Sequence, residues 1–144
     1  MMLVYADPSA FTKLWIAEEH SEWVRDLLLD PANATACSAI GRVEIVGALR
    51  RAYKGGRLIG SRFVKIYREL QDQWRNVMVV QTTPELLDQA ELHARRFALR
   101  GYDAVHLASI LHLAHNELGP VLASFDRELG DAARKCGIPV LVAS

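Results

Sequence analysis

Residues 2–15 read MLVYADPSAFTKLW. MLVYA is a short apolar run closed by Asp7-Pro8, too brief for a helix, and it reads as a strand buried in a sheet. Proline suits the first position of a helix, so the chain passes directly from strand to helix at Asp7. Phe11, Leu14 and Trp15 then recur at helical spacing over PSAFTKLWIAEE. A buried strand running straight into a helix is the opening of a βα unit, and the rest of the chain continues it.

SEWVRDLLLD reads as a second helix with Ser21 as its cap. ATACS (34–38) is a weak strand leading into the helix that contains IGRVEIVGALRR (40–51) and that Gly55-Gly56 breaks. Another helix is expected over about 61–75, by its apolar period. VMVVQ (77–81) is a strand, Thr83-Pro84-Glu85 opens a helix, and Arg100-Gly101-Tyr102 is a hinge before DAVHLASILHLAHNE. VLASF (121–125) is a strand, DRELGDAARKC a short helix stopped by Gly137 and Pro139, and PVLVA the last strand. Five apolar strands alternating with helices predict one α/β domain over residues 1–144, three layers deep with a mostly parallel sheet.

The 144 residues suffice for a substantial core. No apolar run reaches membrane-spanning length, and the first residues lack a basic segment with a cleavage site, so a cytoplasmic protein without membrane contact is expected. Cys37 and Cys136 are isolated and form no CxxC, which suits small buried hydrophobes better than ligands or a disulfide. Net charge is zero, but its distribution is uneven. Between Arg42 and Arg75 nine basic side chains stand against three acidic ones, so this segment carries +6 and the remainder −6. Solvated amphipathic helices explain that asymmetry, and so does a surface for a polyanion.

Glu44 is conspicuous within IGRVEIVGALRR. Its neighbours at helical spacing are Ile40, Gly47 and Ala48, and Arg51 is two turns away, so no base on its own helix pairs with it. A carboxylate taken from water costs several kcal/mol unless compensated, so the fold must expose it or supply a partner. Asp7 follows the first strand, Asp126 follows VLASF and Asp103 begins a helix. Each has an ordinary role open to it as a helix cap. Glu44, mid-helix, does not. Ligands in open parallel sheets sit beyond the carboxyl ends of the strands, where these acids would meet. Two carboxylates about 4 Å apart repel by roughly 4 kcal/mol at an effective dielectric of about 20. A hard divalent cation such as Mg²⁺ or Mn²⁺ removes that penalty and supports phosphodiester hydrolysis.

Together VYADPSAFTKL, IGRVEIVGALRR, LRGYDAVHLASIL and LASFDRELGDAARKCGI resemble the PIN domain, and within it the VapC-type toxins of toxin–antitoxin pairs. The four pieces follow the family's order and span nearly the whole chain. The resemblance implies an α/β/α sandwich with Asp7, Glu44, Asp103 and Asp126 as catalytic acids at one end of the sheet. It makes Asp7, Asp103 and Asp126 ligands for Mg²⁺ or Mn²⁺, with Ser9 and Ser124 in support. It also implies an endoribonuclease that cuts transfer or ribosomal RNA by metal-activated water, leaving a 5′-phosphate. A VapB-like antitoxin would inhibit it, and a homodimer is expected. Substrate choice would fall to the basic residues Arg50, Arg51, Lys54 and Arg57 around the Gly55-Gly56 turn. Pro8 departs from the family's usual threonine, serine or alanine and removes a backbone N–H beside the site.

Other classes fit less well. His106, His112 and His115 share a helix, but only the last two can share a face, and no third metal ligand is evident. His106, three residues after Asp103, is also placed to support that carboxylate. A phospho-receiver domain would want a lysine after the last strand, where the chain reads PVLVAS. No phosphate loop of the GxGxxG or Walker A kind is present. A non-catalytic PIN-like binding or regulatory module remains the alternative, and a complete acid set speaks against it.

Overall fold

The computed structural model describes residues 1–144. Four strands, β1 (Leu3–Ala6), β2 (Ala34–Ser38), β3 (Val77–Val80) and β4 (Val121–Ala123), form one sheet in the order β3-β2-β1-β4. Every pairing is parallel. Because side chains alternate across a strand, each of these short runs serves two cores. Val4, Ala6, Cys37, Val77 and Ala123 face one apolar cluster. Tyr5, Ala36, Val80 and Leu122 face the other.

The first face is covered by α1 (Pro8–Phe11), α2 (Ser21–Leu28), α3 (Ala39–Lys54) and α4 (Gly60–Trp74), through residues such as Phe11, Val24, Ile45 and Leu70. The second is covered by α5 (Pro84–Phe97), α6 (Gly101–His115) and α7 (Arg127–Lys135), through Leu86, Leu107, Ile110 and Leu129. Three layers result, and the α/β/α expectation holds. The 15-residue α6 is almost wholly buried, from Ala104 to Leu113, which is why its sequence is apolar on nearly every side.

Three local expectations change. The helix expected over PSAFTKLWIAEE is one α turn followed by a 3₁₀ turn at Thr12–Leu14. There the Thr12 hydroxyl bonds the Pro8 carbonyl at 2.9 Å, drawing the chain out of regular helix. Ser21 does not cap α2. Its hydroxyl ties the preceding loop by donating to Ile16 O and accepting from Glu18 N, and His20 takes the cap position in the left-handed region. The fifth strand shrinks to a single parallel bridge between Val140 and Leu122. Pro139 contributes only its carbonyl, to Leu122 N, and Leu141 N returns to Leu122 O; with no proline N–H the ladder does not extend.

The strand order positions the site. The chain moves outward from β1 to β2 to β3, and then returns to place β4 on the other side of β1. The switch in direction lies between β1 and β4, and in an open parallel sheet the ligand crevice belongs at the carboxyl ends of such strands. Asp7 leaves β1 there, and the segment after β4 carries Asp126. Gly41, in the first turn of α3, lets that helix close on β2, since a Cβ there would collide with Cys37 Sγ.

Candidate active site

Asp7 is the N-cap of α1 and only 3% exposed. Its Oδ1 accepts from Ser9 Oγ at 2.6 Å and from the Ala10 N–H at 3.2 Å, and its Oδ2 accepts from Ser124 Oγ at 2.8 Å. The same two hydroxyls accept from the loop after β4, Ser9 from the Phe125 N–H at 2.9 Å and Ser124 from the Asp126 N–H at 3.0 Å. Two serines thus stitch the ends of β1 and β4 together around one carboxylate. Burial raises the Asp7 pKa, and the Ser9 hydroxyl, the nearby His106 and the Ser124 hydroxyl pull it back. Pro8 costs nothing here, because the first helical N–H has no partner within its own helix.

Asp126 caps α7 by accepting from the Leu129 N–H at 3.1 Å, with its carboxylate half-buried at the crevice. Asp103 sits in the first turn of α6 but is not its cap, a position held by Arg100. It is 4% exposed, and no protein group donates a hydrogen bond to it. Burial, then the charge of Asp126, push its pKa up to about 6, with smaller contributions from Asp7 and Glu44 and an opposing one from His106. Asp103 thus feels the charges of Asp126, Asp7 and Glu44.

Glu44 projects from α3 with its side chain 27% exposed. Its partner comes from the fold: Oε1 lies 2.7 Å from His106 Nε2 on α6. His106 Nδ1 lies 2.7 Å from the buried Tyr5 hydroxyl, which accepts from the Ser38 N–H at 3.0 Å. His106 therefore bonds Glu44 rather than Asp103. Tyr5 went unnoticed in the sequence, yet a signal existed: strand alternation points it away from Val4 and Ala6 toward α6, and a buried phenol needs a polar partner.

A PIN domain family match extends over residues 4–135. This chain belongs to the PIN domain family. Ribonuclease VapC49 of Mycobacterium tuberculosis is 37% identical over 140 residues, 97% of this chain and 95% of that protein. Among solved structures, Mycobacterium tuberculosis VapC20, described as a sarcin-ricin loop cleaving toxin, superposes with a TM-score of 0.67 at 17% identity, covering 90% of this chain and 94% of its own. A toxin–antitoxin complex from Klebsiella pneumoniae superposes with a TM-score of 0.62 at 14% identity, covering 98% of both chains. These two likenesses establish the PIN fold.

No three His, Cys, Asp or Glu side chains of this PIN domain close into a cation cage by themselves. The donor set still suits a hard ion. Mg²⁺ usually keeps several waters and takes only one or two carboxylates, and Asp7 and Asp103 both have pKa values raised in a way that a cation would relieve. Arg50, Arg51, Lys54 and Arg57 are exposed on the last turns of α3 and the turn beyond it, with the Arg50 guanidinium 4.7 Å from the Tyr53 ring centre. Lys54 is ten residues along the helix from Glu44, roughly 15 Å at 1.5 Å per residue. His112 and His115 lie away from His106, lining with His93 a groove of about 700 Å³ beside β3. No helix is long and apolar enough to cross a membrane.

Proposed function

We propose that this PIN protein is a VapC-type, metal-dependent endoribonuclease that acts in the cytoplasm on transfer or ribosomal RNA. The observation that carries it is Asp103, a carboxylate with no protein hydrogen-bond donor whose pKa is raised by burial and by the charges of Asp126, Asp7 and Glu44. A structural aspartate would be expected to spend its oxygens on a protein donor, whereas those of Asp103 stay open to solvent and to a ligand. In this reading Asp7, Asp103 and Asp126 hold Mg²⁺ or Mn²⁺. When bound, the ion supplies charge stabilisation at the phosphodiester and activates water at neutral pH.

The chain's own residues do the rest. Ser9 and Ser124 hold both Asp7 oxygens and keep the carboxylate from turning away from the crevice. Glu44 keeps one oxygen on His106 and offers the other to the attacking water as an acceptor. Arg50, Arg51, Lys54 and Arg57 bind the RNA backbone beyond the acids, a role that fixes affinity rather than sequence. The relatives named as VapC ribonucleases support the activity, and the toxin–antitoxin complex among the structural neighbours supports an inhibitory antitoxin of the VapB kind. A homodimer of one-domain chains completes the proposal.

The test is purified, antitoxin-free protein on total RNA with Mn²⁺, with EDTA, and with Glu44→Gln alongside. Discrete cuts that require metal and fall to a small residual rate in the variant are expected. Cutting that survives both EDTA and the variant would overturn the proposal and point to a contaminating nuclease.

A further inference from the structure

We propose that His106, backed by Tyr5, is the positioning residue for Glu44. The proposal rests on the reading that Glu44 takes part in RNA cleavage, and it adds what holds Glu44 there. Three bonds run in line from the sheet to the crevice: Ser38 N–H to Tyr5 Oη at 3.0 Å, Tyr5 Oη to His106 Nδ1 at 2.7 Å, and His106 Nε2 to Glu44 Oε1 at 2.7 Å. The residues belong to β2, β1, α6 and α3, so the line crosses all three layers.

The hydrogen-bond network assigns the protons. Ser38 N–H fills one acceptor site of the phenol oxygen, and in the proposed relay the phenol's own hydrogen points at His106 Nδ1, 2.7 Å away, rather than at Ser109. An accepting Nδ1 places the imidazole hydrogen on Nε2, which faces Glu44. His106 is 1% exposed and Tyr5 fully buried, so packing fixes both rings, and only the carboxylate reaches the crevice. A Cβ on Gly41 would stand 3.7 Å from His106 Cε1, which shows how closely α3 is seated on the ring. A glutamate on a helix otherwise has several rotamers, most leading to solvent. The bond to His106 selects the one that keeps the second oxygen with the other acids.

A merely space-filling histidine would tolerate any side chain of similar volume, and this separates the two roles. Glutamine at 106 keeps a donor near the Nε2 position, whereas asparagine reaches only as far as Nδ1. The cleavage site found in total RNA, prepared as a labelled oligonucleotide, gives kcat and KM with Mn²⁺ for full-length His106→Asn, His106→Gln, Tyr5→Phe and the Glu44→Gln/His106→Asn double variant. His106→Asn is expected to lower kcat by about 10- to 100-fold with little change in KM, the loss typical of an outer partner of a functional group. His106→Gln recovers most of it, and the double variant is no slower than Glu44→Gln alone. Equal losses for asparagine and glutamine, or losses that multiply in the double variant, overturn the proposal.

Nitrogen-15 NMR of the His106 ring reads the relay without activity. The parent protein should be protonated at Nε2, and Tyr5→Phe should keep that tautomer, held by Glu44, while the Nδ1 signal shifts as its donated hydrogen is lost. A ring protonated at Nδ1, or at both nitrogens, in the parent overturns the assigned relay, as does an unchanged Nδ1 signal in Tyr5→Phe. Should both His106 variants fail to fold, Tyr5→Phe carries the test, with a smaller fall in kcat expected and an unchanged kcat against the proposal. A parent protein that cuts no RNA overturns the ribonuclease reading and the relay's purpose together, and the ring signals distinguish that outcome from a broken relay.

Discussion

Asp7 and Asp103 are both buried carboxylates at the mouth of the same crevice, and the protein treats them in opposite ways. Asp7 accepts three hydrogen bonds from Ser9, Ala10 and Ser124 and joins two strand ends. Asp103 accepts none and has its pKa raised to about 6 by burial and by Asp126. One acid is part of the framework as well as the proposed site. The other has no protein donor, and its oxygens stay open to solvent. A purely structural cluster would be expected to give both acids protein partners, because an unpaired charge held in a partly buried place opposes folding. On the proposed reading, Asp103 is therefore the carboxylate left free to take a cation.

Substitution of the two acids breaks or sharpens this contrast most strongly. Asp7→Ala and Asp103→Asn should each reduce RNA cleavage by more than the roughly 100-fold expected for loss of an outer partner. Their melting temperatures without metal should move apart. Asp7→Ala loses a cap worth about 1 kcal/mol and strands two serine hydroxyls, so it should melt several degrees lower. Asp103→Asn removes an unpaired charge and should melt a few degrees higher at pH 7. Calorimetry in EDTA checks both signs, and a lower melting temperature for Asp103→Asn would end the comparison.

Gly41→Ala tests the seating of α3, which carries Glu44. Overpacking against Cys37 should cost about 1–3 kcal/mol, and cleavage should fall with it as Glu44 shifts. A variant that folds and cuts like the parent would show that α3 has room to spare.

The pH dependence of stability isolates Asp103. Its folded pKa of about 6 exceeds the usual value near 3.9 for an unfolded chain, so the folded state binds more protons between those limits. In EDTA, its contribution should therefore make stability fall as pH rises from about 4 to about 6 and level off above. Asp103→Asn should flatten that part of the profile. Mn²⁺ should do the same by binding the ionised form.

The smallest effect belongs to the basic surface, roughly three helical turns along α3 from Glu44. Lys54→Ala and Arg57→Ala should leave kcat nearly unchanged, raise KM, and each lower the salt slope of RNA binding by about one. Filter binding at several salt concentrations reads this. An unchanged slope would move the RNA elsewhere on the protein.

Much of the fold was legible because its determinants are local. Short apolar runs mark β1 to β4, and Asp7-Pro8 and Thr83-Pro84 announce helix starts, since these signals act within a few residues of chain. The same local chemistry misled at Ser21 and at PVLVA, where a loop contact and a missing proline N–H decided the outcome. The sequence by itself determined that Asp7 and Asp126 follow strands, that Asp103 begins a helix after a glycine hinge, and that Glu44, on a helix after a strand, has no base on its own helix. Only the tertiary structure decided which acids are satisfied. Glu44 meets His106 across 62 residues and Asp7 meets Ser124 across 117, and contacts of that span depend on how layers pack rather than on any period along the chain.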